Sequence, residues 1–129
     1  MAKDMIETQD APAAIGPYSQ AVRAGGWIFL SGQLPLAPET GQMVDGGVPE
    51  QTRQVLRNIE AVLRAAGAGM GDVVKTTVYM RDLGEFARMN EVYASAFPAP
   101  APARAAVEVS ALPKDALVEI DAVARDPGA

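Results

Sequence analysis

Apolar positions along the chain recur at two periods, and the switch from one to the other marks out the elements. Residues 4–8 read as a short strand, followed by a loop through Ala11-Pro12. Two strand-like runs, 18–24 and 27–30, are separated by Gly25-Gly26, which makes a strong local hairpin signal. Residues 35–41 form a loop whose turn is Pro38-Glu39-Thr40-Gly41. From about Pro49 onward, Val55, Leu56, Ile59, Val62, Leu63 and Ala66 repeat at helical spacing. Proline is accepted in a first helical turn, and Gly67 is a natural C-terminal stop. Residues 73–80 are rich in β-branched side chains and predict a strand. Asp82, with Glu85 three positions later, resembles a capping box opening a second helix. Leu83, Phe86, Met89, Asn90, Tyr93 and Phe97 then fall on one stripe of it. Pro98, Pro100 and Pro102 end that helix and force an extended passage. Two last strands, 103–109 and 116–124, flank a turn around Leu112-Pro113-Lys114-Asp115.

The order β-ββ-α-β-α-ββ predicts an α+β fold, a mostly antiparallel sheet of about six strands with two amphipathic helices on one face. Apolar side chains remain on the other face, and a closed homo-oligomer would cover them. Alternation places Arg104, Ala106 and Glu108 on one face of their strand. It sets Leu117, Glu119, Asp121 and Val123 against the apolar row Val118, Ile120, Ala122 and Ala124. Paired as a hairpin, the two final strands would put Ala106 opposite Glu119. Arg104 would then be the diagonal neighbour of Glu119, roughly 7–8 Å away between backbones.

An arginine and a glutamate on one sheet face can be an ordinary salt bridge, above all at a subunit interface. They can also be a site. Arginine binds a carboxylate in two places and stays charged at any working pH, while glutamate can orient or deprotonate water. Such a pair could hold a small carboxylic acid and direct water at an electrophilic carbon beside the carboxylate. An imine carbon is of that kind and requires neither a metal nor a covalent nucleophile.

Composition narrows the possibilities. The chain has 129 residues, 49% hydrophobic and 21% charged, which fits one globular domain over residues 1–129. A net charge of −5 argues against a nucleic-acid partner. No apolar stretch approaches the roughly 20 residues needed to span a bilayer, and no hydrophobic leader region follows Met1. With zero cysteines there is no disulfide framework, so the cytoplasm is the expected compartment. The absence of both His and Cys excludes a thiolate nucleophile, a Ser-His-Asp triad and an ordinary zinc site. Neither a cofactor nor a metal is expected.

Residues 102–113, Pro-Ala-Arg-Ala-Ala-Val-Glu-Val-Ser-Ala-Leu-Pro, followed by Val118-Glu119-Ile120, closely resemble the signature of the RidA family. Its members are also called YjgF proteins or reactive intermediate/imine deaminases, with older endoribonuclease and translation-inhibitor labels. The resemblance extends to residues 13–20 (Ala-Ala-Ile-Gly-Pro-Tyr-Ser-Gln), Ser31-Gly32-Gln33, residues 71–78 (Gly-Asp-Val-Val-Lys-Thr-Thr-Val) and Met89-Asn90, nearly the whole chain. It implies a chorismate-mutase-like fold and a homotrimer with sites in the clefts between subunits. The implied reaction is hydrolysis of 2-imino acids of the 2-iminopropanoate and 2-iminobutanoate type to 2-keto acids and ammonia. Arg104 matches the arginine that holds the substrate carboxylate, and Glu119 the glutamate that positions the attacking water. Tyr18, Ser31 and Asn90 match site-lining positions, and Gly32 lies where backbone approaches ligand. Ala106 stands where some members carry cysteine, which leaves it only a backbone contribution.

Structural roles compete for each of these residues. Tyr18 can be a strand-end aromatic, Ser31 can satisfy local backbone, and Gly32 can permit a bulge. Asn90 lies on an apolar stripe, where a buried amide commonly ties two elements together. Lys75 reads as a solvated strand residue, and the Met and aromatic stripe of the second helix as core. Three other activities stand beside the deaminase: a non-catalytic small-acid or partner-binding trimer, a ribonuclease or translation inhibitor, and a chaperone.

Overall fold

The computed structural model describes residues 2–129. Its strands are β1 (Asp4–Ile6), β2 (Ala21–Ala24), β3 (Trp27–Gln33), β4 (Val73–Met80), β5 (Ala103–Glu108) and β6 (Val118–Arg125). They form one sheet in the order β1-β2-β3-β6-β4-β5, antiparallel at every step except β4–β5. The hairpin expected at Gly25-Gly26 joins β2 to β3, and both glycines take positive φ, 59° and 87°. That is the type I′ geometry, whose twist matches the flanking strands.

Helix α1 (Val48–Ala65) lies across the sheet with Val55, Ile59, Val62 and Leu63 fully buried. Glu50 accepts from the Gly47 N–H at 2.8 Å and closes the N-terminus. At the other end, Gly67 adopts φ 80°, and Ala68 and Gly67 donate to the carbonyls of Leu63 and Arg64. This pair of bonds is a Schellman closure, which glycine adopts without steric penalty. The buried Asn58 amide donates to the carbonyls of Leu34 and Leu36, pinning the loop after β3 to the helix.

Helix α2 (Phe86–Tyr93) is shorter than the apolar stripe predicted. Asp82 caps a 3₁₀ turn, Leu83–Glu85, by accepting from Gly84 N–H at 2.8 Å, so the cap does not open the α-helix itself. Leu83 is exposed as a result, and Phe97 lies beyond the helix end with its ring 4.9 Å from that of Tyr93. Both helices cover one face of the sheet, where Val78, Met80, Val118, Ile120 and Ala124 are wholly buried. The opposite face keeps Trp27, Phe29 and Val107 exposed. Among the described residues no helix is long and apolar enough to cross a membrane.

The pairing of the last two strands departs from the predicted hairpin. β4 lies between β5 and β6, parallel to the first and antiparallel to the second. Thus Ala106 faces Val78 and Glu119 faces Tyr79, and Ala106 is not opposite Glu119. The segment 109–117 arches over the end of β4, with Val109 N–H bonded to Met80 and Arg81 N–H to Leu117. The cause is apolar content. The inward row of β6 is wholly apolar and takes a central place, whereas β5 turns Arg104 and Glu108 inward and is accommodated only at the edge.

Candidate functional site

Arg104 stands on β5 beside Thr76 of β4, whose buried hydroxyl bonds the Tyr93 hydroxyl at 2.7 Å. It therefore projects on the helix-covered side. Its Nη1 donates to Asn90 Oδ1 at 2.6 Å, and its guanidinium carbon lies 5.2 Å from the ring centre of Phe86 and 4.8 Å from that of Tyr93. Two aromatic faces and an amide hold the planar fork of the exposed Arg104 in one orientation. Asn90, Tyr93, Phe97, Pro102 and Arg104 line a cleft of about 430 Å³ there. The expected structural tie through Asn90 is present, and it is made to Arg104 itself.

Glu119 projects from the other face. Its row partner Tyr79 alternates with the buried Val78 and Met80, so Glu119 points away from the helices and away from Arg104. No ion pair joins the two among the described residues. Glu119 borders a second cleft of about 430 Å³, lined also by Ala13, Ile15, Tyr18, Ser31, Gly32, Leu34, Leu36, Pro113 and Lys114.

A bulge in β3 builds this second cleft. Between Leu30 and Gln33 the register against β6 shifts, which re-aims Ser31-Gly32. A Cβ on Gly32 would lie 2.0 Å from Glu119 Oε2, so the glycine makes room for the carboxylate. Ser31 Oγ donates to the Ser19 carbonyl at 2.6 Å, and Tyr18, 54% exposed, receives a long bond from the Ile15 N–H. Burial, and then the neighbouring Asp121 charge, push the Glu119 carboxyl above the ordinary glutamate value. A carboxyl whose proton affinity is raised is a stronger base toward water than an ordinary glutamate.

The structure thus gathers Tyr18, Ser31, Gly32 and Glu119 at one place and Asn90 and Arg104 at another, with Ala106 half-buried on the Arg104 face. Sequence reading missed the aromatic cradle, since Phe86 and Tyr93 were assigned to the core alone. Their spacing from Asn90, −4 and +3 on one helix, was the available signal. It also missed Lys114, which reaches the Glu119 cleft from a turn where Lys114 and Asp115 both take positive φ, 57° and 58°.

The endoribonuclease L-PSP family matches residues 8–126. A RutC family protein of Pyrococcus horikoshii is 57% identical over 95% of this chain and 97% of its own. The 2-iminobutanoate/2-iminopropanoate deaminase of Mus musculus is 49% identical over 95% of this chain and 90% of its own. Among solved structures, E. coli TdcF with bound serine superposes with a TM-score of 0.90 at 46% identity, covering 95% of this chain and 98% of that one.

Proposed function

Because the chain belongs to the endoribonuclease L-PSP family, the RidA family that its motifs resemble, we propose that it hydrolyses 2-imino acids of the 2-iminopropanoate and 2-iminobutanoate type. The site would form between copies of the chain in a homotrimer. The observation that carries this reading is that each cleft holds what the other lacks. Among the described residues one is lined by a fixed cationic fork and no carboxyl, and the other by a half-buried carboxyl and no arginine. Apolar residues left open on the sheet face, Trp27 and Phe29 among them, supply a surface through which copies could associate.

In the assembled cleft, Arg104 holds the substrate carboxylate while Asn90 and the two rings keep its fork aligned. Glu119 takes a proton from water as the water oxygen bonds to the carbon of the protonated imine, giving a tetrahedral carbinolamine. It returns that proton to nitrogen. Then, as the C–N bond breaks and ammonia leaves, Glu119 takes the hydroxyl proton and the C=O of the 2-keto acid forms. Tyr18, Ser31, Gly32 and the backbone at Ala106 form the walls. Serine, the ligand of TdcF, carries the same α-carboxylate and α-nitrogen arrangement, which supports a small 2-amino-acid-like ligand here. No cofactor is called upon.

The test generates imines from several amino acids with an oxidase or dehydratase and follows their decay. Wild-type protein should accelerate decay. Arg104→Ala should lose about 2–5 kcal/mol of binding as a desolvated charged anchor is removed. Unchanged decay with wild-type protein refutes the reading, and keto-acid binding without acceleration would favour a small-acid sensor.

A further inference from the structure

Glu119 has an organised neighbour on the open face of the sheet. Asp121 lies two residues along β6, so both carboxylates leave the same face roughly 6–7 Å apart along the strand. Tyr79 of β4 sits directly across from Glu119, and its hydroxyl reaches diagonally to donate to Asp121 Oδ2 at 3.0 Å. We propose that Asp121, anchored by Tyr79, is a positioning residue of the hydrolytic site that keeps a fixed negative charge beside Glu119. With that charge in place, Glu119 retains the proton taken from water until nitrogen can accept it. The role rests on the imine-hydrolase reading of this same cleft.

The geometry favours such a role over a purely structural one. All three side chains are half-buried on the face away from the helices, so none fills the core. A hydroxyl has one proton to give, and giving it to Asp121 holds that carboxylate in one rotamer. Other groups facing Glu119 leave its field acidic. Lys114 and Tyr18 line the cleft from their loops, and Lys75 shares the face of β4 but pairs with Val123 farther along. Neither lysine forms an ion pair with Glu119 or Asp121 among the described residues. β3 contributes only Ser31 and Gly32, and β5 the uncharged Val107. The raised carboxyl of Glu119 and the raised hydroxyl of Tyr79, the latter due first to its bond with Asp121, agree in direction with this arrangement.

Two readouts test it in wild type, Asp121→Asn and Tyr79→Phe: the pH profile of kcat/KM for imine hydrolysis, and a carbon-13 titration of the Glu119 carboxyl. Asp121→Asn should move both the acid limb and the Glu119 midpoint to lower pH. Its plateau should stay within about tenfold of wild type, well inside the roughly 10²–10⁴ that loss of a general base costs. Tyr79→Phe keeps the charge but frees it to turn away, so both should move the same way by less. If Asp121→Asn does not fold, Tyr79→Phe carries the test alone. A limb and midpoint coinciding with wild type in an active enzyme overturn the Asp121 role and leave the hydrolase reading standing. A wild-type protein that leaves imine decay unchanged overturns the hydrolase reading, and the role with it.

Discussion

Gly32 shows how a single missing side chain shapes this protein. Its φ is not in the left-handed region, so its requirement is for space and not for backbone freedom. The atom that an added Cβ would strike is the far end of Glu119, which can swing away, so Gly32→Ala should fold and displace the carboxylate instead. Thermal denaturation close to wild type with imine turnover reduced about 10²-fold is the expected pair of results, since displacement of a reacting group by about 1 Å can cost that much. Glu119 itself carries a stability cost. Its pKa is raised on folding, so folding gains below the ordinary glutamate value and loses that gain as pH climbs through the raised one. Glu119→Gln should therefore melt higher than wild type at pH 7–8, a gap that closes on acidification, while turnover falls roughly 10²–10⁴-fold. Both residues were legible as candidates from the motifs Ser31-Gly32-Gln33 and Val118-Glu119-Ile120. Their contact was not, because a bulge in β3 brings them together and bulges are set by pairing with a distant strand.

At the scale of elements, local signals did most of the work. The Gly25-Gly26 hairpin, the helix closing at Gly67 and the strand 73–80 depend on neighbours within a few residues, and all are present. Helix α2 and the β5–β6 connection were misjudged where a nearby cue competed with a tertiary one. Asp82 satisfied a 3₁₀ turn before it could cap the α-helix, and the turn at 112–115 joins strands that β4 holds apart. A different kind of tie closes the C-terminal side. Arg23 of β2 donates to Asp126 Oδ2 and to the Ala66 carbonyl, both at 2.9 Å, and so links β2, the end of α1 and the residue after β6. The Arg23 guanidinium first, and then the Gly128 N–H, hold the Asp126 carboxyl below the usual aspartate value. The stability contributed is present above the ordinary aspartate pKa and is lost as pH falls through the depressed one. Asp126→Asn should lower the melting temperature at pH 7, and its curve should merge with that of wild type at acid pH.

For the whole molecule, the decisive fact is that Arg104 and Glu119 leave opposite faces of one sheet. A site using both must take them from different copies, and mixing exposes that directly. Arg104→Ala and Glu119→Gln chains, each inactive alone, should regain activity when co-refolded. In a closed ring where each site draws one residue from either neighbour, equal random mixing restores about a quarter of the sites. Mixtures as inactive as their parents would refute a shared site.

By itself the sequence determined the periodicities, the turns, the inward and outward rows of each strand, and the family. These follow from spacing along the chain, which local sterics and side-chain alternation translate into structure. Tertiary structure alone decided that β4 separates β5 from β6, and hence that the arginine and the glutamate fall into separate clefts. Strand order depends on which rows bury the most apolar surface together, a comparison among distant segments that no local window contains.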